Sequence, residues 1–240
     1  MEMKRLLAFF IVAVMVVSLI ACSSTDSANS QVTSENAKKV LVVRAKEGGG
    51  ENFIINRLKK QGYTVFDIVD AHFTVEKANG YGVIYISSSV NSSNIDSKLK
   101  QSTVPVVSSK TQVAGMIGMG GASNFGETSE VRTNLIRDSK HPIAAGLKDT
   151  FAIYKADGKL SYSQSPSKEA TIIAENPVNG NNKQYTVFAY EKGAKNILGD
   201  PVLARQVFFS LPAGQEPNLT DNGWKLFDAA IQWASQNGKK

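Results

Sequence analysis

A chain of 240 residues with 42% hydrophobic and 8% aromatic side chains carries enough apolar material for one ordinary globular core. Its formal net charge of +6 comes from scattered lysines, densest at Lys59-Lys60, Lys98 and Lys100, and Lys239-Lys240. No basic stripe with interleaved aromatics accompanies them, so no nucleic-acid partner is expected. One cysteine and two histidines, with no HExxH pattern, exclude a disulfide and argue against a zinc site, so no metal and no cofactor is expected.

The chain opens on a short basic start, Met1 to Arg5, followed by a nearly uninterrupted apolar run over residues 6–19. That run is too short for a membrane-spanning helix, which needs about 20 apolar residues. It ends in Leu19-Ile20-Ala21-Cys22, then Ser23-Ser24-Thr25-Asp26. Charge, apolar run, small residue and cysteine in this order resemble a bacterial lipoprotein signal. The resemblance implies that residues 1–21 are removed and that Cys22 is lipidated and becomes the first mature residue. Attachment by two or more acyl chains is stable where one gives marginal binding. The expected location is the cell membrane, lipid-anchored and facing the extracytoplasmic side. Loss of residues 1–21 removes Lys4, Arg5 and Glu2 and leaves a net +5.

Residues 22–37 form the lipidated start and a polar tether. Its Ser, Thr, Asn, Asp, Gln and Glu side chains cannot bury enough surface to offset ordering. Such a flexible segment reaches about 20 Å. Residues 38–240 remain for a single α/β domain, expected to be monomeric.

Within it, Lys39-Val40-Leu41-Val42-Val43-Arg44 reads as a β-branched strand. A glycine-rich turn, Gly48-Gly49-Gly50, leads into a helix with Ile54, Ile55 and Leu58 on one face, closed by Gly62. Strands follow at 64–69 and 81–87, a short helix at 94–101 and a strand at 104–108. Alternating strands and helices with continuous apolar runs predict a largely parallel sheet covered on both faces. The segment 116–122, rich in glycine and apolar residues, reads as a mobile loop. Further on, strands at 131–136, 151–155, 159–163, 170–174 and 185–191 are separated by short turns, which predicts an antiparallel extension. Asn179-Gly180 carries a hairpin signal there. A strand at 207–211 and an amphipathic helix at 221–236, with Trp224, Phe227, Ala230, Ile231 and Ala234 on its core face, return to the α/β theme.

The turn His141-Pro142-Ile143-Ala144-Ala145-Gly146-Leu147 resembles the trehalose-utilisation-protein (ThuA-like) family. So do the closing runs, Ala204-Arg205-Gln206-Val207-Phe208-Phe209 and Gly223-Trp224 through Ile231-Gln232-Trp233-Ala234. That resemblance implies the class I glutamine-amidotransferase-like fold, a flavodoxin-like sandwich. Catalytic members of the wider fold place a cysteine in the turn after the strand matching 104–108. Here that turn reads Ser108-Ser109-Lys110-Thr111, and the matching histidine and glutamate pair is missing, so cysteine-dependent amidotransferase chemistry is excluded.

In open α/β sheets, ligands settle beyond the C-terminal strand ends, where strand order reverses. Those ends supply Glu47, Glu51 and Asn52 after the first strand, Asp70 and His72 after the second, and Ser87, Ser88 and Ser89 after the third. Hydroxyl, amide and carboxylate groups suit a hydroxyl-rich ligand, a carbohydrate or other envelope component. No G-x-S-x-G elbow is present, and no serine there has an evident base. His141 reads as a loop-fixing residue beside Pro142. The expected function is a non-catalytic, ligand-binding envelope lipoprotein. The alternatives are a glycan or ester hydrolase using Ser, Asp and Glu groups, and an assembly partner of another envelope protein. Glu51→Ala and Ser88→Ala are expected to lower ligand affinity without altering stability.

Overall fold

The computed structural model describes residues 36–121, 123–177 and 182–236; the signal, Cys22, nearly all of the tether and the Asn179-Gly180 turn lie outside the described residues. The chain runs through β1 (Lys39–Arg44), α1 (Glu51–Lys60), β2 (Thr64–Val69), β3 (Val83–Ile86), β4 (Val106–Ser108) and α2 (Thr111–Met116). It continues through β5 (Phe125–Val131), β6 (Thr133–Ile136), β7 (Thr150–Ala152), β8 (Gly158–Ser163), β9 (Thr171–Glu175), β10 (Tyr185–Tyr190), β11 (Gln206–Phe209) and α3 (Asp221–Gln236).

Five strands, in the order β2-β1-β3-β4-β11, pair in parallel. From β11 outward the order β10-β9-β6-β7 is antiparallel, and a β5–β8 pair branches off through β8 against β10. The expected α/β sandwich with a largely parallel centre and an antiparallel extension is the observed fold.

Alternation along each parallel strand feeds two cores, because successive side chains point to opposite faces. Val40, Val42, Val83 and Tyr85 pack with Ile54 and Leu58 of α1 and Phe227 and Ile231 of α3. Leu41, Val43, Ile84 and Ile86 pack on the other face with Val113, Ala114 and Ile117. Helix α1 ends as its sequence predicts. Gly62 adopts φ +83°, its N–H reaches the Lys59 carbonyl at 3.0 Å, and the Tyr63 N–H reaches that of Leu58 at 3.1 Å. That pair of bonds satisfies the final carbonyls.

Three local expectations change. The helix expected at 94–101 is a pair of 3-10 turns, Ser92–Asn94 and Ser97–Gln101. The Asn91 and Asp96 side chains accept backbone N–H bonds there and hold each segment to one short turn. The strand expected at 131–136 is divided between β5 and β6; Glu130 takes φ +58° and the β5–β8 register slips between Thr128 and Val131, which bends the chain. Of the glycine-rich segment expected to be a mobile loop, residues 117–120 are core. Ile117 and Met119 are fully buried, and the Met119 carbonyl accepts the Tyr190 hydroxyl at 2.8 Å. Gly118 has φ +81°, and a Cβ there would stand 2.6 Å from Asn196 Nδ2.

His141 fixes its loop, as its sequence context predicts. Its Nδ1 accepts the Ile143 N–H at 3.2 Å, and its ring lies 5.1 Å from that of Trp233. Burial holds this imidazole below its ordinary pKa.

Candidate functional site

Strand order reverses about β1, with β2 on one side and β3 on the other. The loops after β1 and β3 therefore part at their C-terminal ends and open a crevice. Glu51, the first residue of α1, is buried there at 5% exposure. Its Oε1 accepts the Ser87 hydroxyl at 2.6 Å and also the Ser89 hydroxyl. Ser89 Oγ in turn accepts the Ala45 N–H at 3.2 Å. One carboxylate thus ties the loop after β1 to the loop after β3.

A second carboxyl group arrives from the far end of the chain. Glu216, on the turn Glu216–Asn218 after β11, is 1% exposed and lies against Gly50 so closely that a Cβ there would fall 2.2 Å from Glu216 Oε2. That Oε2 has no hydrogen-bond partner among the described residues. Burial pushes the Glu216 carboxyl above its ordinary pKa and the Glu51 charge adds to it, while the backbone N–H groups of Glu216 and Gly214 pull the other way. Tyr85 lies within reach of the same field. Burial pushes its phenol up, and its hydroxyl shares a 3.0 Å hydrogen bond with Ser109 Oγ.

The turn after β4 is relaxed. Lys110 has φ −93° and ψ 112°, and none of residues 108–111 has positive φ. A nucleophile elbow is a sharp, strained strand-to-helix turn that exposes its side chain. Here Ser109 is 1% exposed and its hydroxyl is committed to Tyr85. Ser108 Oγ bonds the Lys110 N–H and carbonyl and further fixes the turn.

Beside this turn a small cavity of about 150 Å³ opens between the parallel sheet and the β5–β8 pair. Ser88 and Lys110 border it from the parallel sheet, Phe125, Glu127 and Ser161 from the β5–β8 pair, and the exposed Gln112 also lines it. Lys110 Nζ donates to the Ser88 carbonyl at 3.1 Å. The Ser88 hydroxyl oxygen is buried with no partner among the described residues. A hydroxyl left unpaired is costly unless an incoming group satisfies it. Hydroxyls, an amide, one ammonium and one carboxylate around a space this size can fix a small polar group by hydrogen bonds.

Of the candidates read from the sequence, Glu51, Ser87, Ser88 and Ser89 come together. Glu47 is exposed on the loop after β1, and Asn52 is exposed with its Oδ1 accepting from Arg44 at 3.3 Å. Asp70 is buried and accepts from the Asn91 N–H at 2.6 Å and Asn94 Nδ2 at 2.9 Å, so both its oxygens hold a neighbouring turn. His72 is exposed and its carbonyl accepts Lys77 Nζ at 2.6 Å. Tyr85, Glu127, Ser161 and Glu216 join the site without having been singled out by sequence, as do Ser109 and Lys110, which the sequence marks only as a turn lacking a cysteine. Among the described residues no cluster of three His, Cys, Asp or Glu side chains could hold a metal ion.

No family model matches this chain, and no curated protein matches its sequence. Among solved structures, the chain is similar to a GMP synthase component from Thermoplasma acidophilum. The TM-score is 0.56 at 13% identity, over 82% of this chain and 94% of that one. A glutamine amidotransferase from Thermotoga maritima is also similar, at TM-score 0.43 and 9% identity, over 81% of this chain and 82% of that one. At these identities the likeness concerns architecture, and the comparison rests on the first of the two. The domain has a flavodoxin-type α/β fold, a mostly parallel sheet with an antiparallel extension, similar to that of the GMP synthase component.

Proposed function

We propose that this chain is an extracytoplasmic lipoprotein, anchored through Cys22, whose α/β domain binds a hydroxyl-rich ligand, a carbohydrate, without turning it over. The observation that carries this reading is the cavity beside the turn after β4. The position that would bear a nucleophile in an amidotransferase carries a buried serine in a relaxed turn, while the adjacent unpaired Ser88 hydroxyl offers a ligand contact. The polarity of the lining favours sugar hydroxyls over an apolar ligand. The finer kinship to ThuA-like proteins belongs to the same proposal and is supported by the His141–Leu147 turn and the closing helix.

The position of residues 36–38 suits an anchored receptor. Residues 36–38 precede β1, whereas the crevice lies beyond its other end, about 20 Å away for a six-residue strand. A tether leaving from that pole lets the crevice face away from a membrane.

The hydrolase alternative has one favourable contact, the 2.6 Å bond between Ser87 and Glu51. Ser87 is 1% exposed, however, so a substrate carbonyl or glycosidic carbon has no path to it.

Calorimetric titration of the purified full chain with mono- and oligosaccharides tests the proposal, with glycoside and ester turnover measured in parallel. Saturable binding without turnover is expected. Turnover abolished by Ser87→Ala would replace binding with hydrolysis, and the absence of binding across the panel would remove the carbohydrate reading.

A further inference from the structure

A second recessed surface lies on the helical face, away from the crevice cavity. Two adjoining hollows of about 440 and 470 Å³ share Gln61 and together form a groove between α1 and α3. Helix α1 gives it a length of about 15 Å. At one end Phe53 stands 51% exposed beside the half-buried Trp224. At the other lie Lys38 and Tyr63, with Lys38 Nζ 5.4 Å from the Tyr63 ring centroid.

The one acidic side chain along the groove is paired. Arg57 holds Asp228 through bonds of 2.8 Å from Nε and 2.6 Å from Nη2, while its guanidinium stacks on Trp224 at 4.9 Å. Asp228 is the one carboxylate among the lining residues, and this pairing neutralises it. The exposed Lys38 and Lys60 remain as a positive surplus along the groove. Between them the amides of Asn56, Gln61 and Gln232 each offer both donors and an acceptor.

We infer that this groove binds a linear anionic glycan, a polymer of hydroxylated units bearing carboxylate or phosphate groups. Each lining class answers one part of such a ligand. The Phe53 ring supplies an apolar surface for the C–H face of a sugar ring, and tyrosine and tryptophan pair an apolar body with a polar edge in the same way. The amides meet vicinal hydroxyls, and the two lysines meet the charges as compact point cations. A neutral glycan would leave the lysine surplus unused, a bare polyanion would leave Phe53 and the amides unused, and a flat bilayer would not fill a concavity. The inference concerns a surface separate from the crevice and holds whether or not the crevice is occupied.

The test uses the purified full chain and three probes of matched length: oligogalacturonate, neutral dextran oligomers and polyphosphate. Oligogalacturonate should bind and change Trp224 fluorescence, with dextran at least tenfold weaker. Phe53→Ala should weaken oligogalacturonate at least threefold. Joint Lys38→Ala and Lys60→Ala should weaken it at least tenfold and flatten its salt dependence. Ser88→Ala should leave the Trp224 fluorescence response unchanged, because Ser88 borders the crevice cavity and not the groove. All these side chains except that of Ser88 are at the surface, and an unchanged melting temperature confirms that each variant folds. Polyphosphate binding as tightly as oligogalacturonate and indifferent to Phe53→Ala would reduce the groove to general charge attraction and overturn the inference. Failure of oligogalacturonate to bind, loss of binding in Ser88→Ala alone, or displacement by anionic lipid vesicles would overturn it equally.

Discussion

Glu51 and Glu216 bring two buried carboxyl groups over neighbouring glycines. Glu51 Oε2 lies 3.1 Å from where a Cβ on Gly49 would stand, and Glu216 Oε2 lies 2.2 Å from where one on Gly50 would stand. Neither carboxylate has an ion-pair partner among the described residues. The start of α1 supplies only partial positive charge, and Glu51 in the first turn already uses it. Two serine hydroxyls satisfy Glu51, while burial and the Glu51 charge favour the protonated form of Glu216.

This pair predicts a pH dependence of stability with a definite sign. A carboxyl whose folded pKa is raised holds its proton more tightly folded than unfolded, so its contribution is fully present below the ordinary value of 4.5 and is lost as pH rises through the raised folded value. Glu216→Gln removes the titration while keeping the shape. The stability difference between Glu216→Gln and the parent should therefore grow in favour of the variant from pH 4.5 toward neutrality, as read by urea denaturation. Parallel pH profiles for the two proteins would show that Glu216 titrates normally.

The packing of Glu216 against Gly50 yields a second prediction. Gly50 has φ −64° and ψ −28°, which any L-residue adopts, so a methyl group there costs nothing in backbone strain. Its cost is steric and falls on Glu216. Gly50→Ala alone should destabilise by about 1–3 kcal/mol, as overpacking does. With Glu216→Ala it should become neutral or mildly stabilising, which gives a coupling energy well above about 0.5 kcal/mol. Additive effects would place the carboxyl elsewhere.

The anchor is tested independently of the domain. Cys22→Ser should leave an unprocessed precursor, and the parent should partition into the detergent phase. Mass spectrometry of the mature N-terminus decides the matter: an unmodified start beyond Cys22 would end the lipoprotein reading.

Much of this fold is legible in the sequence because its signals are local. The bounds of α3 follow from the spacing of Trp224, Phe227, Ala230 and Ile231, and the parallel strands follow from uninterrupted β-branched runs such as Val40-Leu41-Val42-Val43. Ser87, Ser88 and Ser89 are legible as neighbours at the candidate site because they follow a strand beside the reversal of order. Lys110 and Ser161 are not, because the cavity they share is made by the β5–β8 pair folding back onto the parallel sheet. Glu216 is likewise invisible, since no local pattern in Pro212-Ala213-Gly214-Gln215-Glu216 says that the carboxyl will pack beneath a loop formed near the start of the chain. The glycine-rich 116–122 segment misleads for the opposite reason. Its glycines permit close packing against Asn196 and Ser163 rather than motion.

Structure also separates two substitutions that sequence treats alike. Ser88 Oγ has no partner among the described residues and borders the cavity, so Ser88→Ala deletes an unpaired hydroxyl and should leave the melting temperature within about 1 °C. The same change should weaken a ligand that hydrogen-bonds there by about 1 kcal/mol, roughly fivefold in Kd. Glu51 is different, because its Oε1 accepts the hydroxyls of both Ser87 and Ser89 and joins the two loops that frame the crevice. Glu51→Ala removes the acceptor shared by the buried Ser87 hydroxyl and the half-buried Ser89 hydroxyl, leaves these two donors only their 3.1 Å contact with each other, and should cost about 1–3 kcal/mol of stability. Affinity falls with it, but only as a consequence of a loosened crevice. Ligand titration and thermal melting on the same two variants distinguish the roles. A drop in affinity with unchanged melting belongs to Ser88, and a drop in both belongs to Glu51. If Glu51→Ala lowers affinity at an unchanged melting temperature, its carboxylate contacts the ligand directly and its bonds to Ser87 and Ser89 must open when the ligand arrives.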